Sequence, residues 1–533
     1  MLIDLDTIFW LTFGVFVVAS ACLALYGLHL YVLLFLFAFR SRARRSDQQR
    51  RIQSFHASAS PEDWPLVTSQ IPIYNEAEVV TRVLDAVASI RYPAGRHEIQ
   101  VLDDSSDHTR GIVDDAVTRL RTNGVDIQVV RRADRSGFKA GALAHGLGSA
   151  RGEYVAIFDA DFVPPPDFLE SLVPLIEADA NLACMQARWG HLNRNESWLT
   201  AAQALGIDGH FAIEQGARAW NGLMMNFNGT AGIWRRSAID DPDVGGWSGD
   251  TLTEDLDLSY RAQLAGWRID YCMDMECPAE LPGSVPALKS QQRRWATGSI
   301  QVACKLLPRI WRARLSLVEK MEATLHLTHY SVALWMVVLA LIARPVLLFL
   351  VDRQLYADWA WYAWAVILVS AFAPSLVYTY ARYSLGGRWS GLALIPSMFV
   401  LGCGMCLSNA LAVLRGLRLR GGEFVRTPKS GSVEGTRRPM QYGVTANTLW
   451  IAELVLGLYA SLSFVIYFTR FNRLFSFFLL MYAIGFIVIG WMSRPREAFS
   501  APTASRNGTG GALPDSPASG GELADVRQAK PTT

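Results

Sequence analysis

Residues 154–161 of this 533-residue chain, YVAIFDAD, decide the fold, because an apolar strand there ends directly in two carboxylates. Outward from this stretch, further apolar runs alternate with helical patterns: runs at 66–72, 98–102 and 125–130, helices at 76–90, 107–121 and 139–150. This alternation predicts an α/β domain with a mostly parallel sheet covered by helices. Ligands of such sheets bind at the carboxyl ends of the strands, so Asp159 and Asp161 mark a site.

Asp159 and Asp161 offer hard oxygen ligands, and no His or Cys stands near them in the sequence. Such ligands suit Mg²⁺ or Mn²⁺ bound together with a diphosphate, rather than Zn²⁺. The metal would neutralise charge on a leaving nucleoside diphosphate. Exposed Asp pairs often only cap helices, but here the pair comes straight out of an apolar strand, which favours the metal site.

Asp103, Asp104 and Lys139 each allow two interpretations. Asp103 and Asp104 follow the second strand, where they could belong to a loop and helix cap or accept hydrogen bonds from a nucleotide. Lys139 stands between two glycines, as an ordinary residue at a helix start or as a contact to a donor phosphate.

Two later motifs are equally ambiguous alone. In TEDLD, residues 253–257, Asp255 could take the proton of an attacking hydroxyl, or complement a helix dipole. In QQRRW, residues 291–295, Arg294 suits a diphosphate and Trp295 suits a sugar ring. Basic and aromatic residues beside a membrane helix also serve as interface anchors.

The composition indicates a membrane protein, since 51% of residues are hydrophobic and only 18% are charged. A net charge of +2 argues against nucleic acid as a partner. The apolar run 8–39 is followed by a basic cluster at 40–45, which predicts a transmembrane helix over 1–40 with residue 40 onward in the cytosol. Residues 52–317 contain no segment that could span a bilayer and are predicted to form the cytosolic domain.

Further spans are predicted at about 323–351, 358–381, 447–469 and 473–492. The stretch 389–415 is diluted by Gly, Pro, Ser and Asn, and crossing there would place the basic segment 415–429 outside. We therefore expect it to lie in the cytosolic interface. The predicted order is two spans and an interfacial helix in 318–415, a cytosolic loop in 416–446, two spans in 447–492, and a disordered tail in 499–533.

Taken in chain order, the motifs resemble those of processive family-2 inverting glycosyltransferases, the cellulose, hyaluronan and chitin synthases. The likeness is greatest to plant cellulose-synthase-like mannan and glucan synthases. The matching stretches are QIPIYNE at 70–76, IQVLDDS at 99–105, FKAGAL at 138–143, AIFDADF at 156–162, QARW at 186–189, FNGTAG at 227–232, QQRRW at 291–295 and EFVRTPK at 423–429. One departure is Arg293, where the plant relatives have His.

The resemblance implies a nucleotide-diphospho-sugar-binding domain of the GT-A fold on a transmembrane α-helical region. It also implies roles for residues. Glu76, Asp103, Asp104 and Lys139 would hold the nucleotide, Asp159 and Asp161 would hold Mg²⁺ or Mn²⁺, and Asp255 would be the base. Gln291, Arg294, Trp295, Phe227 and Gly229 would contact the diphosphate or the acceptor, and Phe424, Thr427 and Lys429 would form a gating loop over the donor.

The expected function is processive synthesis of a β-glycan, of the β-1,4-mannan or glucan type, from GDP-mannose or UDP-glucose with export through the spans. The expected partners are a nucleotide-sugar donor, a glycan acceptor and membrane lipid. The main rival is transfer of one sugar to a membrane lipid, and a remote one is a non-catalytic membrane channel. The sequence leaves the oligomeric state open.

Overall fold

The computed structural model describes residues 5–352, 359–387, 389–418, 421–422, 427, 429, 431, 448–470 and 473–495. The strands are β1 Val67–Ile73, β2 His97–Asp103, β3 Ile127–Val130, β4 Tyr154–Ile157, β5 Leu182–His191, β6 Gly232–Arg235 and β7 Arg268–Ala279. The helices are α1 Leu5–Ser58, α2 Val80–Ala88, α3 Thr109–Thr122, α4 Phe138–Leu147, α5 Phe168–Glu177, α6 Trp198–Asp208, α7 Gly216–Ala219, α8 Arg236–Ile239, α9 Glu254–Leu264, α10 Val285–Arg312, α11 Leu317–Thr328, α12 Ser331–Asp352, α13 Trp359–Ser384, α14 Ile395–Arg418, α15 Leu449–Arg470 and α16 Arg473–Ser493. The segment Gly209–Gln215 is π-helical.

The seven strands form one sheet in the order β3-β2-β1-β4-β6-β5-β7. β1 pairs in parallel with β2 and β4, β2 with β3, and β5 with β7. Only β6 is antiparallel to its neighbours. The predicted mostly parallel sheet is confirmed, and the antiparallel β6 is an addition that the pattern of alternating strands and helices did not predict.

Helices cover both faces of the sheet, which explains why its central strands β1 and β4 are almost entirely buried. On one face α2, α3 and α5 pack their buried side chains against the sheet. On the other face α4, α7 and α9 do the same. The carboxyl ends of β1, β2 and β4 therefore open at one edge between these helical layers, and this edge holds the predicted site.

The first helix, α1, runs unbroken from Leu5 to Ser58 and is far longer than the roughly 20 residues that cross a bilayer. Its second half lies along β7, where Arg44 contacts Asp270 at 3.2 Å and Arg45 contacts Asp274 at 2.5 Å. The basic cluster thus pairs with acidic residues of the domain and joins the apolar half of α1 to it.

By length and composition, five helices in the described part of the chain are apolar enough to cross a membrane. A sixth candidate is the pair Leu317–Thr328 and Ser331–Val346, which is bent by 63°. The five include Gly391–Arg418, the segment assigned to the interface from its sequence. Which helices cross therefore stays a prediction, and the predicted tail at 499–533 lies outside the described residues.

Candidate active site

A cavity of about 1210 Å³, its open mouth included, lies at the carboxyl ends of the central strands. It brings together side chains from every motif singled out in the sequence. The predicted residues that line it are Glu76, Asp104, Lys139, Asp159, Asp161, Gly229, Asp255, Gln291, Arg294, Trp295, Thr427 and Lys429. Asp103 and Phe227 lie behind the cavity wall, and Phe424 lies outside the described residues.

Asp159 and Asp161 follow β4, and each carboxylate is paired with a lysine. Asp159 contacts the Nζ atom of Lys139 at 2.5 Å, and Asp161 contacts the Nζ atom of Lys429 at 2.6 Å. Burial raises the pKa of Asp159, and the nearby Asp161 adds to the rise, while Lys139 opposes it. The backbone N–H of Asp159 donates to the hydroxyl of Thr230 at 2.9 Å. This hydrogen bond fixes the backbone at the first of the two aspartates.

Within the described residues, no group of three or more His, Cys, Asp or Glu side chains is placed to hold a metal ion. A metal here would therefore take its remaining ligands from phosphate oxygens and water, as Mg²⁺ commonly does. Two carboxylates that line one cavity fit that chemistry. Each carboxylate also contacts a lysine. A metal ion would have to displace that lysine or bind the same carboxylate beside it.

Lys139 links the strand end to two other parts of the site. Besides Asp159, its Nζ atom donates to the backbone oxygen of Gly229 at 2.8 Å and lies 3.7 Å from Glu254. Burial lowers the pKa of Lys139, but the carboxylates of Asp159 and Glu254 outweigh burial, so the net shift is upward. The lysine is therefore a fixed positive charge inside the cavity.

At the other end of the cavity, Asp104 is held by Arg132 through two hydrogen bonds of 2.9 and 2.6 Å. Asp103, the last residue of β2, points away and is buried against Arg131 and the N–H of Ser105. Asp104, which follows the strand, lines the cavity, whereas Asp103 does not. Asp103 is placed to support the loop, rather than to touch a ligand.

Three residues at this end have no role predicted from the sequence: Tyr74, Arg132 and Arg135. The guanidinium of Arg135 lies 3.2 Å from the ring centroid of Tyr74, and both residues line the cavity. The signal that could have found the arginines is the RRADR run at 131–135, directly after β3. A cluster of arginines close to carboxylates indicates that the arginines pair with those carboxylates or bind an anionic ligand.

Asp255 lies in the first turn of α9 with its carboxylate facing the cavity. Its Oδ1 atom accepts a hydrogen bond from the N–H of Leu256 at 2.9 Å. Burial raises the pKa of Asp255 to about 7, and Glu254 adds to the rise, while Lys139 and Arg294 oppose it. A carboxyl group with such a pKa is suited to accept a proton at neutral pH.

The turn before β6 approaches Asp255 so closely that it needs a glycine. Gly229 has φ +83°, and an added Cβ would lie 2.8 Å from the Oδ2 atom of Asp255. Gln186 on β5 fixes this turn, since it accepts from the N–H of Asn228 at 2.9 Å and donates to the carbonyl of Thr230 at 3.1 Å. Phe227 is fully buried against Trp234 and anchors the turn from behind.

Gln291, Arg294 and Trp295 share one face of α10, because residues three and four apart are neighbours on a helix. All three line the cavity. The indole of Trp295 lies 6.4 Å from that of Trp189, which also lines the cavity and has no role predicted from the sequence. The two rings give this end of the site an aromatic wall of the kind on which sugar rings stack.

The sequence of the chain is similar to those of known proteins. The family model described as "Glycosyltransferase like family 2" matches residues 65–298. Glucomannan 4-beta-mannosyltransferase 2 of Arabidopsis thaliana is 38% identical over 275 residues, 50% of this chain and 51% of the relative. Glucomannan 4-beta-mannosyltransferase 7 of the same plant is 41% identical over 254 residues, 47% of this chain and 45% of the relative.

The chain thus spans about half the length of the curated relatives it matches. Among solved structures, a mannosyltransferase from Pyrobaculum calidifontis in complex with GDP-Man and Mn²⁺ is 21% identical with a TM-score of 0.41. That match covers 65% of this chain and 98% of the other. Residues 65–298 of this chain are therefore similar to glycosyltransferase family 2 domains, and they contain the mixed sheet with its flanking helices.

Proposed function

We propose that the chain is an inverting membrane glycosyltransferase that elongates a β-linked glycan, with GDP-mannose as the favoured donor and UDP-glucose as the second. The observation that carries the proposal is that one cavity holds Asp159, Asp161, Asp255, Arg294 and Trp295 together. The names of the relatives, glucomannan 4-beta-mannosyltransferases, support mannose as the sugar and a β-1,4 linkage.

In the proposed reaction Asp255 takes the proton of an acceptor hydroxyl as its oxygen bonds to the anomeric carbon of the donor sugar. The bond between that carbon and the diphosphate oxygen breaks, and its electron pair leaves with the nucleoside diphosphate. Attack opposite the leaving group inverts the anomeric configuration, so an α-linked donor gives a β-linked product. The raised pKa of Asp255 fits this role, because a stronger base accepts the proton more readily.

The leaving diphosphate develops negative charge, and the cavity supplies positive charge to meet it. Lys139, Arg294 and Lys429 all line the cavity. Preorganised cations in a site that excludes water stabilise such charge more strongly than the same cations in solution. A divalent ion bound through Asp159 and Asp161 would neutralise further charge on the diphosphate oxygens.

The acceptor is proposed to enter at the aromatic end, where Trp295 and Trp189 offer flat apolar faces. Nucleotide binding is assigned to the opposite end, near Asp104, Glu76 and the Tyr74–Arg135 pair. This orientation places the donor sugar between them, beside Asp255. A glycan that grows at this point would leave along the helices that pack on α10 and α1.

The test uses purified protein in nanodiscs with Mn²⁺ or Mg²⁺, supplied separately with radiolabelled GDP-mannose, UDP-glucose and UDP-N-acetylglucosamine. Label in a water-insoluble or high-molecular-weight product is expected with GDP-mannose, and digestion by an endo-β-mannanase identifies the linkage. Label that extracts into organic solvent as a single-sugar lipid would contradict glycan elongation. No incorporation from any donor, with folded protein that binds none of them, would contradict transfer altogether.

A further inference from the structure

Helix α10 carries a second row of polar side chains besides the residues that line the cavity. The α10 row is formed by Lys289, Arg293, Thr297 and Gln301, which are spaced four residues apart. Side chains with this spacing form a continuous ridge on a helix. Each member of the α10 row binds α14, α15 or Gly421, which follows α14. The row therefore contacts the chain both before and after Thr427 and Lys429.

The first contact is a buried ion pair with α15. The Nζ atom of Lys289 lies 2.6 Å from both carboxylate oxygens of Glu453, and the two side chains are 3% and 0% exposed. Glu453 stands in the second turn of an otherwise apolar helix. Charged side chains in apolar helices are costly, and those that are present commonly have a function.

The next two contacts reach α14. The Nε atom of Arg293 donates to the hydroxyl of Ser408 at 3.0 Å, and the hydroxyl of Thr297 donates to the carbonyl of Ala412 at 3.2 Å. The helices approach closely here, since a Cβ added to Gly416 would lie 2.7 Å from the carbonyl oxygen of Thr297. Together these contacts fix the C-terminal half of α14 along α10.

The fourth contact joins a residue that follows α14 to the catalytic domain. The side-chain amide of Gln301 donates to the carbonyl of Gly421 at 2.6 Å, and its oxygen accepts from the N–H of Leu252 at 2.9 Å. Leu252 immediately precedes the TED motif. Gln301 therefore holds the chain that leaves α14 beside the segment that leads to Asp255.

The same helix also fixes the catalytic motifs themselves. Gln291, Arg294 and Trp295 line the cavity from α10. Between these residues and Gln301 stands Gly298, where an added Cβ would lie 2.5 Å from the side chain of Thr253, the cap of α9. One helix thus contacts the cavity, the base-bearing helix and both flanks of the segment that bears Lys429.

We propose that the α10 row, together with Glu453, is a positioning device that keeps Lys429 and Arg294 in register over the donor diphosphate. The proposal rests on the proposed function, because it assumes that Arg294 and Lys429 meet the diphosphate of the donor. Apolar contacts between helices tolerate sliding, whereas a buried ion pair and directed hydrogen bonds fix one register. Displacement of α14 or α15 along α10 would move Lys429 away from Asp161, the carboxylate that it contacts at 2.6 Å.

The experiment compares K289M/E453L, Q301M and the reversed pair K289E/E453K with the wild type in nanodiscs. Replacing both members of a buried ion pair by apolar residues often preserves stability, so K289M/E453L is expected to fold. For K289M/E453L and for Q301M we expect an increase of about tenfold in the KM for the nucleotide sugar. Their melting temperatures should stay within a few degrees of the wild-type value. K289E/E453K, which restores an ion pair, is expected to recover most of the loss. R312Q, at the exposed end of α10, is the matched control.

An unchanged KM and kcat in a stable K289M/E453L protein would overturn the proposal. A loss of activity that follows the melting temperature in all variants would also overturn it, since that result indicates a purely structural role. The affinity for GDP and UDP is measured separately by calorimetry. If the wild type transfers no sugar, the proposed function fails, and the nucleotide affinities of the variants still decide whether the α10 row positions the site.

Discussion

At the level of single residues, Asp255 is the group on which the proposed chemistry depends. Burial and Glu254 raise its pKa to about 7, while Lys139 and Arg294 oppose the rise. A base acts only when it has lost its proton, so kcat should rise with pH through this value. Below it we expect kcat to fall about tenfold for each pH unit. The measurement is the pH profile of kcat with saturating donor; a flat profile between pH 5 and about 8 contradicts the assignment.

The variant D255N is expected to lose transfer by roughly 10²- to 10⁴-fold, the usual contribution of a general base. Its affinity for the nucleotide sugar should stay close to that of the wild type, since the amide keeps the size of the side chain. Calorimetry measures the affinity, and radiolabel incorporation measures the rate. D240N, at an exposed carboxylate, is the matched control and should behave as the wild type. Full activity in D255N would remove the base from the mechanism.

Gly229 offers a second test of the same geometry. G229A should cost about 1 kcal/mol of stability through its positive φ, and it should also push a methyl group against the Asp255 carboxylate. Gly222 has φ +71° and nothing within 4 Å of an added Cβ, so G222A introduces the strain alone. We expect similar losses in melting temperature but a much lower kcat only in G229A. Equal kcat values would show that the close approach to Asp255 does not matter for catalysis.

Several of the cavity residues could be predicted from their place at the ends of strands and helices. Asp104, Asp159 and Asp255 stand at such ends, where the local pattern already determines their surroundings. Arg132 and Trp189 could not be predicted in this way, because their contacts depend on how separate segments meet in space. Asp103 and Asp104 are neighbours in one motif, but only Asp104 lines the cavity, while Asp103 is buried against Arg131. The motif alone does not distinguish these two positions.

At the level of elements, β5 acts on the site through Gln186. This side chain is fully buried and binds both the N–H of Asn228 and the carbonyl of Thr230, and the Thr230 hydroxyl in turn fixes Asp159. Q186L keeps the size of the side chain but leaves these backbone groups without a partner. A buried polar group without a hydrogen bond costs about 1–3 kcal/mol.

We therefore expect Q186L to lower the free energy of unfolding by about that amount and to weaken metal-dependent donor binding. Thermal unfolding in detergent and calorimetric titration of the donor measure the two effects. Q128L, at a half-buried position of strand β3, is the control for the substitution itself. A Q186L protein with wild-type stability and donor affinity would show that the turn holds Asp159 without this glutamine.

The alternation of strands and helices in the first half of the domain was predictable because each crossover helix follows its strand directly in the sequence. The second half was not. β6 inserts antiparallel between β4 and β5, and its pairing partners are 75 and 50 residues away at the pairs Ile157 with Gly232 and Cys184 with Trp234. The periodicity of a sequence describes single elements and does not predict pairing between strands so far apart in the chain. Such pairing depends on which free strand edge buries more apolar surface.

For the whole molecule, the open question is the side of the membrane on which each helix end lies. Both ends of α14 contact the catalytic domain. Near its start, a Cβ added to Gly206 of α6 would lie 2.9 Å from Met398, and near its end Thr297 bonds Ala412. A helix that crossed the bilayer would have one end about 30 Å away from a domain on the other side. These contacts favour the interfacial placement that the charge pattern predicts.

The prediction is that residues before and after α14 are accessible from the same side as the catalytic domain. S384C and L417C, in a protein otherwise free of accessible thiols, are treated with a membrane-impermeant maleimide in sealed vesicles of known orientation. Cys304 is exposed on α10 and, in a separate protein that retains it, reports the side of the domain. All three sites should react from one side. Reaction of S384C and L417C from opposite sides would make α14 a span, and the chain would then have to return before Lys429 to reach Asp161.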